Sequence, residues 1–225
     1  MTARRAIPTV DGAALTTVIL DMGGVVIPTL FELTGAPGLP GGPFARDGEY
    51  KAVERGVLQE RDYWRRWSER RPELDIATLW RECRGIRAEM RGLITQLTER
   101  VRLVAFTNDM AHWFGADWPR RFPELVCFDA ILEAASLGVL KPDPQAFAAA
   151  AETLGEDPSR CLFVDDLPAN LSGARAVGMH TLLFDVLDPE GSAVRIRTTV
   201  GLADGDAPVP GRVFRLPPAP DRARP

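Results

Sequence analysis

Four short apolar runs occur along the chain, and each ends in polar residues. Residues 16–20 (TTVIL) are rich in β-branched side chains and lead directly into Asp21. Residues 102–106, 161–164 and 181–184 repeat this plan, since an aspartate follows each of them within three residues. Runs of this length and composition are typical of buried β-strands. The pattern therefore predicts four strands with polar side chains at their carboxyl ends.

Helical patterns separate the predicted strands. Residues 144–154 are rich in alanine, begin with a proline and stop at Gly155, and residues 169–177 stop in the same way at Gly178. Strands that alternate with helices at this spacing predict right-handed crossovers and a parallel sheet. We therefore expect an α/β fold with a Rossmann-like parallel sheet flanked by helices. Ligands of such folds bind beyond the carboxyl ends of the strands, where the polar clusters lie.

Residues 25–92 interrupt the alternation of strands and helices. In two stretches, 50–70 and 76–98, tryptophan and leucine recur at helical spacing among many arginines and glutamates. We interpret residues 25–92 as a small α-helical cap inserted after the first strand. The α/β core is then discontinuous and comprises residues 1–24 and 93–187.

The cap contains an apolar and a charged set of side chains. Trp64, Trp67 and Trp80 recur at helical spacing, which favours a place in the core over a place in a pocket. Four arginines of the cap are mixed with acidic residues. We therefore interpret the charged set as the solvated face of a helix rather than a patch for phosphate or nucleic acid. This set comprises Glu60, Asp62, Arg65, Arg66, Glu69, Arg70, Arg71 and Glu73.

Residues 188–225 differ in composition from the rest of the chain. They are rich in proline, arginine, glycine and aspartate, and bulky apolar residues are few. Because such a segment offers little apolar surface to bury, we expect a loosely ordered tail.

Charge and cysteine usage restrict the classes of partner. Twenty-seven basic and thirty-one acidic residues give a net charge of −4, so we expect neither nucleic acid nor an anionic membrane as a partner. The three cysteines (Cys83, Cys127 and Cys161) are far apart and form no Cys-x-x-Cys pair. They indicate reduced thiols in a cytoplasmic protein rather than a disulfide framework or a zinc site.

Asparagine and lysine are rare in this sequence. The chain has two of each, against twenty-five arginines. Both asparagines, Asn108 and Asn170, and one lysine, Lys141, stand in or near the polar clusters. A chain that uses arginine for almost every positive charge but retains Lys141 indicates a need for a compact ammonium there. The alternative is a surface lysine before a proline-containing turn.

Four segments follow one another at the predicted strand ends: VILDMGGVV, AFTND, GVLKPDP and LFVDDLPANLSGARAVGM. In these segments the sequence resembles the haloacid dehalogenase-like (HAD) hydrolase superfamily, over about residues 16–187. The stretch from Thr107 to Glu124 further resembles the subgroup that contains bacterial α-D-glucose-1-phosphate phosphatases. The resemblance implies a phosphatase that hydrolyses a small phosphorylated metabolite, such as a sugar phosphate, with the help of Mg²⁺.

The resemblance also implies a role for each residue that contacts the phosphoryl group. Asp21 is the candidate nucleophile and would form an aspartyl-phosphate that water then hydrolyses. Thr107 would offer a hydroxyl, and Asn108 a backbone amide, to the phosphoryl oxygens. Lys141 would supply the positive charge that balances the phosphoryl group and Asp21.

A magnesium site is implied by the same motifs. Asp21, Asp165 and Asp166 are hard oxygen ligands of the kind that Mg²⁺ prefers, and the backbone carbonyl of Gly23 would complete the set of protein ligands. Asn170 follows Asp166 by about one helical turn and would orient the carboxylates that bind the metal.

Two residues leave the mechanism open. Gly23 stands where many HAD phosphatases carry an aspartate that protonates the leaving oxygen, a step worth about 10²–10⁴ in rate. His112 follows Asn108 by four residues and could contact the phosphate or donate a proton, or it could pack with Trp113. The alternatives to a phosphatase are a 2-haloacid dehalogenase-type hydrolase and a regulatory or binding protein without turnover. The sequence does not decide between a monomer and a homodimer.

Overall fold

A computed structural model of the chain describes residues 7–8, 14–33, 40–45, 47–83 and 85–202. Within them the strands are β1 (Ile7–Pro8), β2 (Ala14–Leu15), β3 (Thr17–Leu20), β4 (Arg102–Thr107), β5 (Ala130–Glu133), β6 (Cys161–Asp165) and β7 (His180–Leu183). The α-helices are α1 (Leu30–Leu33), α2 (Tyr50–Glu54), α3 (Glu60–Arg70), α4 (Ile76–Arg81), α5 (Ala88–Arg100), α6 (Met110–Phe114), α7 (Ala134–Leu137), α8 (Pro144–Leu154), α9 (Pro168–Ala176) and α10 (Pro189–Thr199). None of these helices is both long and apolar enough to cross a bilayer.

The central sheet has five parallel strands in the order β5-β4-β3-β6-β7, which confirms the predicted fold class. Leu20 of β3 lies level with Ala105 of β4 and Val164 of β6. The backbone N–H of Asp21 continues this pairing by donating to the carbonyl of Val164 at 2.9 Å. The register therefore brings the ends of β3, β4 and β6 together at one edge of the sheet.

Strand β5 was not predicted from the sequence. Its four residues, AILE, are all half-buried, and in the described part of the chain it pairs with β4 alone, at the border of the sheet. A run this short, in which no residue is fully buried, does not stand out from the irregular 3₁₀ segments Trp118–Arg121 and Pro123–Cys127 that precede it.

Alternate residues of the buried strands point to opposite faces of the sheet and supply two hydrophobic clusters. Ile19, Val104 and Phe163 pack with Phe147 of α8 on one face. On the other face, residues of β3 and β4 pack against helix α5, helix α10 and the cap. The residue at which the cap was expected to end, residue 92, falls within α5. Since α5 contacts both β4 and α10, it joins the cap to the core.

The cap has an aromatic core of its own. Phe31, Tyr50, Tyr63 and Trp64 contact one another, with ring centroids 4.8 to 6.2 Å apart. Trp64 is almost completely buried, which confirms its interpretation as a core residue. Trp80 is also buried, but it lines the cavity described below, so the choice of core over pocket holds only in part for Trp80. Trp67 is half-buried beside Tyr63.

The expectation of a loose tail is wrong for residues 188–202. Helix α10 begins after Asp188, whose side chain accepts a hydrogen bond from the backbone N–H of Gly191. Ile196, Val200 and Leu202 are buried. The sequence obscured this helix because its buried side chains are few and widely spaced, among small and polar residues. The remainder of the expected tail, residues 203–225, lies outside the described residues.

Candidate active site

A cavity opens at the edge of the sheet where β3, β4 and β6 end. Asp21, Thr107, Lys141 and Asn170 line it, and all four are buried side chains. Gly23 and Asn108 also lie on its wall. The structure therefore brings together predicted site residues that are as far as 149 positions apart in the sequence.

Lys141 is the charged centre of this cavity, with only 1 % of the residue exposed. Its ammonium donates to Asp21 Oδ1 at 2.8 Å, to Asp165 Oδ2 at 2.9 Å and to the carbonyl of Phe106 at 3.1 Å. Burial alone would lower the pKa of Lys141, but the carboxylates of Asp165 and Asp21 hold it above its ordinary value. All three ammonium hydrogens are thus engaged, and the alternative of a surface lysine is wrong.

The backbone of Lys141 is fixed by two side-chain amides. The backbone N–H of Lys141 donates to Asn108 Oδ1 at 2.9 Å, and Asn108 Nδ2 donates to the backbone carbonyl of Lys141 at 3.2 Å. Gln59, which precedes helix α3 of the cap, donates to the same carbonyl at 3.1 Å. The Asn108 side chain therefore positions the lysine, a role that the sequence did not indicate.

Asp165 is held in one orientation by its neighbours. Asn170 Nδ2 lies 3.0 Å from each carboxylate oxygen, and the backbone N–H of Leu167 donates to Oδ1 at 2.8 Å. The ammonium of Lys141 also donates a hydrogen bond to Oδ2 of Asp165. Because both oxygens already carry these bonds, Asp165 fixes Lys141 and Asn170 relative to one another, and Asp166 is the more available of the two carboxylates.

Three carboxylates meet at this point. Asp21, Asp165 and Asp166 each offer an oxygen, and these oxygens lie within 4.8 Å of one another. Burial raises the pKa of Asp21 to about 7, against the opposing effect of Lys141. Burial, with the nearby charge of Asp165, also raises the pKa of Asp166. One ammonium does not balance three carboxylates, so the donor set and its surplus negative charge fit a hard divalent cation.

The loop after β3 must approach Asp166 closely. Gly24 has a φ of +78°, and a Cβ built on it would lie 2.4 Å from Asp166 Oδ2. Glycine is therefore required at this position, both for its backbone conformation and for the space that Asp166 occupies.

A buried ion pair holds the same loop from behind. Arg87 Nε donates to the carbonyl of Gly24 at 3.0 Å, and the guanidinium makes two bonds to the carboxylate of Glu32 at 2.7 and 2.5 Å. Glu32 also accepts from the backbone N–H and the hydroxyl of Thr29. The loop that contains Gly23 and Gly24 is thus tied to the N-terminal end of helix α5.

Arg87→Leu is expected to lower the free energy of unfolding by about 3 kcal/mol, because it leaves Glu32 without its partner in a largely buried place. The matched variant is Arg91→Leu on the exposed face of the same helix, which we expect to change stability by less than about 1 kcal/mol. Urea denaturation of both variants measures the difference. Equal losses would show that the ion pair does not stabilise the loop.

The cap supplies a carboxyl group that the sequence analysis placed elsewhere. Glu60, the first residue of helix α3, lines the cavity together with Asp21, and its Oε1 accepts a hydrogen bond from Trp64 Nε1 at 3.2 Å. The interpretation of the charged set as a solvated face is confirmed for Arg65, which is 60 % exposed and pairs with neighbouring acidic residues, but it is wrong for Glu60. The sequence spacing could have indicated this position, because Glu60 shares a helix face with the buried residues Tyr63 and Trp64.

Two further residues near β4 differ in their relation to the cavity. Asp109 lines it and pairs with Arg61 of the cap, with Arg61 Nε 3.3 Å from Asp109 Oδ2. His112 is exposed, and its ring packs edge-on against Trp113 with centroids 4.7 Å apart. Trp113, rather than His112, lies on the cavity wall. The structure therefore supports the packing alternative for His112.

The fold and the carboxylate cluster define a class of hydrolase. A model of the haloacid dehalogenase-like hydrolase family matches residues 15–178, and the chain belongs to that family. Phosphatase MT3486 of Mycobacterium tuberculosis is 44 % identical over 57 residues, which are 25 % of this chain and 26 % of that protein. Rat bifunctional epoxide hydrolase 2 is 34 % identical over 83 residues, or 37 % of this chain and 15 % of that protein. The chain thus spans about a quarter or less of the length of these relatives.

Solved structures share the fold at low sequence identity. The putative HAD-hydrolase YfnB from Bacillus subtilis, solved with bound magnesium, has a TM-score of 0.56 at 19 % identity, over 75 % of this chain and 86 % of that one. A HAD-superfamily hydrolase from Geobacter sulfurreducens has a TM-score of 0.51 at 22 % identity, over 76 % and 89 % of the two chains. These similarities concern the fold.

Proposed function

We propose that this chain is a Mg²⁺-dependent phosphoric monoester hydrolase that acts through an aspartyl-phosphate at Asp21. The observation that carries the proposal is the placement of a buried carboxylate, Asp21, directly against the ammonium of Lys141 in a cavity that also holds Thr107. A nucleophile in this place is oriented by a fixed hydrogen bond. The same ammonium can balance the charge of an incoming phosphoryl group.

The proposed reaction uses groups that the fold already holds in place. The carboxylate of Asp21 attacks phosphorus, and the bond to the ester oxygen breaks. Lys141 and the hydroxyl of Thr107 stabilise the negative charge on the phosphoryl oxygens, together with the backbone amide of Asn108. Water then attacks the phosphorus of the aspartyl-phosphate and releases inorganic phosphate, which restores Asp21.

Magnesium would be held by Asp21, Asp166 and the carbonyl of Gly23, with Asp165 beside them. When bound, the ion neutralises charge between the carboxylates and the phosphate and orients the phosphoryl oxygens. Asn170 supports this site through its two contacts with Asp165. The surplus of buried carboxylates is the main support for the ion, and the magnesium seen in a protein of the same fold is consistent with it.

Removal of the metal is expected to abolish phosphatase activity. A chelator should remove activity, and added Mg²⁺ should restore it. Asp166→Ala should lower kcat/KM by on the order of 10² or more, whereas Glu190→Ala, on the exposed first turn of helix α10, should leave it unchanged. The measurement is phosphate release at several Mg²⁺ concentrations. Undiminished phosphate release in chelator would exclude the Mg²⁺ mechanism. Halide release from a 2-haloacid in chelator would instead favour attack on carbon, the dehalogenase chemistry that needs no metal.

The substrate class that we infer is a small phosphorylated metabolite such as a sugar phosphate. The support is the resemblance of residues 107–124 to glucose-1-phosphate phosphatases and the phosphatase named among the relatives. We also infer a cytoplasmic location, since Cys83, Cys127 and Cys161 are free thiols. A panel of phosphate esters and 2-haloacids, tested on the wild type and Asp21→Asn, separates a phosphatase from a dehalogenase and from a binding protein without turnover.

A further inference from the structure

We propose that Glu60 of the cap is the general acid that protonates the leaving oxygen and the general base that activates water, a role that rests on the proposed phosphatase function. An alkyl phosphate releases a strongly basic oxygen, so its cleavage is fast only when a proton is delivered to that oxygen.

The residues around Asp21 do not supply this proton. Gly23 has no side chain, and a Cβ built on it would meet nothing within 4 Å, so the space beside it is open. Lys141 is held by three acceptors, and its pKa is raised, which makes it a poor acid. Asp165 accepts bonds on both oxygens, and Asp21 is the nucleophile itself.

Glu60 lines the same cavity as the nucleophile Asp21. It enters the cavity from helix α3 of the cap, whereas Asp21 enters from the sheet. Cleavage of a phosphate ester runs in line, with the leaving oxygen opposite the nucleophile, so an acid from the other layer is suitably located. Trp64 Nε1 donates to Glu60 Oε1, which fixes the side chain and leaves its second oxygen, Oε2, to carry the proton.

The surroundings of Glu60 favour its protonated form. Burial raises its pKa to about 7, the hydrogen bond from Trp64 opposes this, and the charges of Asp21, Asp109 and Asp165 add to it. Tyr50 and Asp166 also lie near Glu60, while Lys141 and Arg61 are the nearby cations.

Asp109 is the other carboxyl group on the cavity wall outside the carboxylate cluster, among the described residues. Burial raises its pKa as well, but Arg61 lies 3.3 Å from its Oδ2 and favours the charged form. The carboxylate of Asp109 therefore suits a role in joining the cap to the core, and Glu60 is the better proton donor.

Two steps transfer the phosphoryl group, first to Asp21 and then to water. Asp21 attacks phosphorus, the P–O ester bond breaks, and its electron pair stays on the leaving oxygen, which takes the proton of Glu60. The products are an alcohol, the aspartyl-phosphate and the Glu60 carboxylate. Water then attacks phosphorus and gives a proton to Glu60, and the bond between phosphorus and Asp21 breaks. Inorganic phosphate leaves, and both carboxyl groups return to their starting states.

The test is a series of phosphate esters of increasing leaving-group pKa, assayed with Glu60→Gln and with Glu69→Gln, an exposed glutamate of the same helix. In Glu60→Gln, kcat/KM should fall by about 10²–10⁴ for glycerol phosphate and only a few-fold for p-nitrophenyl phosphate. With p-nitrophenyl phosphate, a burst of nitrophenol should appear, because the second step has lost its base. The wild type should lose kcat/KM for glycerol phosphate above about pH 7, and this loss should be absent in Glu60→Gln. Glu69→Gln should behave as the wild type.

Two further variants make the test decisive. Gly23→Asp places a carboxyl group in the open space and should restore glycerol phosphate hydrolysis to Glu60→Gln at least ten-fold. Glu60→Asp keeps an acid and should retain more of the activity on basic leaving groups than Glu60→Gln does. Thermal unfolding verifies that each variant is folded.

Several results would overturn the inference. An equal loss on both esters, or no loss on either, in a folded Glu60→Gln would show that Glu60 is not the acid. A selective loss in Asp109→Asn or His112→Ala instead would assign the proton to that residue. A wild type that hydrolyses no ester of the series would remove the proposed phosphatase function itself, and the inference with it.

Discussion

Asp21→Asn is expected to lower phosphatase kcat/KM by a factor on the order of 10⁴ or more, since an amide cannot attack phosphorus in place of a carboxylate. The variant should remain folded, because the amide oxygen can still accept the bond that Lys141 donates. The substitution also removes one of the three carboxylates that meet at this site, Asp21, Asp165 and Asp166. The exposed Asp117→Asn, on the turn before the 3₁₀ segment at residues 118–121, is the matched control and should retain full activity.

Chemical trapping identifies the nucleophile, and isotope transfer shows which atom of the aspartyl-phosphate water attacks. Single-turnover hydrolysis in ¹⁸O-water, followed by recovery of the peptide that contains Asp21, should place no label in Asp21 if water attacks phosphorus. Attack of water on the acyl carbon would place label there. Trapping of the acyl phosphate with borohydride or hydroxylamine should in either case modify Asp21. Phosphate release at the normal rate without any modified Asp21 would exclude the covalent mechanism.

Lys141→Arg is expected to be nearly as damaging as Lys141→Ala, with kcat/KM lowered on the order of 10²–10³ in both. The ammonium occupies a fully buried place between Asp21 and Asp165, with contacts near 3 Å on three sides. A guanidinium is larger and directs its donors in a plane, so it cannot satisfy three acceptors arranged around one nitrogen. The chain has arginine at almost every other basic position, so the requirement for a lysine is specific to position 141.

Lys51→Arg is the control for Lys141→Arg, because Lys51 is the other lysine and is exposed. It should keep the activity of the wild type. Chemical denaturation should also show Lys141→Ala to be less stable by about 3 kcal/mol, since Asp165 would remain buried without its ion-pair partner. An Arg variant with the wild-type rate would show that charge alone is needed at this position.

The strands of the core were predictable because burial leaves a continuous apolar run. Residues 16–20 and 161–164 predict β3 and β6 to within one residue at each end. Strand β5 was not predicted, since it is only four residues long and none of them is fully buried. Helix α10 was not predicted either, since its buried side chains are few and lie among small and polar residues. Local pattern therefore identified the buried strands and also β7 at one border of the sheet, whereas it missed β5 at the opposite border.

The candidate site divides in a similar way. Residues that follow a strand, such as Asp21 and Asp165, could be placed because parallel strands end at a common edge. Glu60 and Gln59 could not, since they reach the cavity only through the way in which the cap packs on the sheet. The charged composition of the segment suggested that Glu60 faces solvent. Only the four-residue spacing between Glu60 and Trp64, which puts both on one face of the helix, indicated that Glu60 faces inward.

Gln59 and Glu60 are consecutive residues, and they contact different parts of the site. Gln59 donates to the carbonyl of Lys141, while Glu60 lines the cavity that contains Asp21. Any movement of helix α3 that breaks the hydrogen bond from Gln59 to Lys141 also withdraws the carboxyl group of Glu60 from the cavity. If Glu60 is the proton donor, a phosphorylated compound too large for the cap to close over it would bind, but it would be cleaved slowly when its leaving oxygen is basic. Size discrimination in this protein would accordingly act on turnover rather than on affinity.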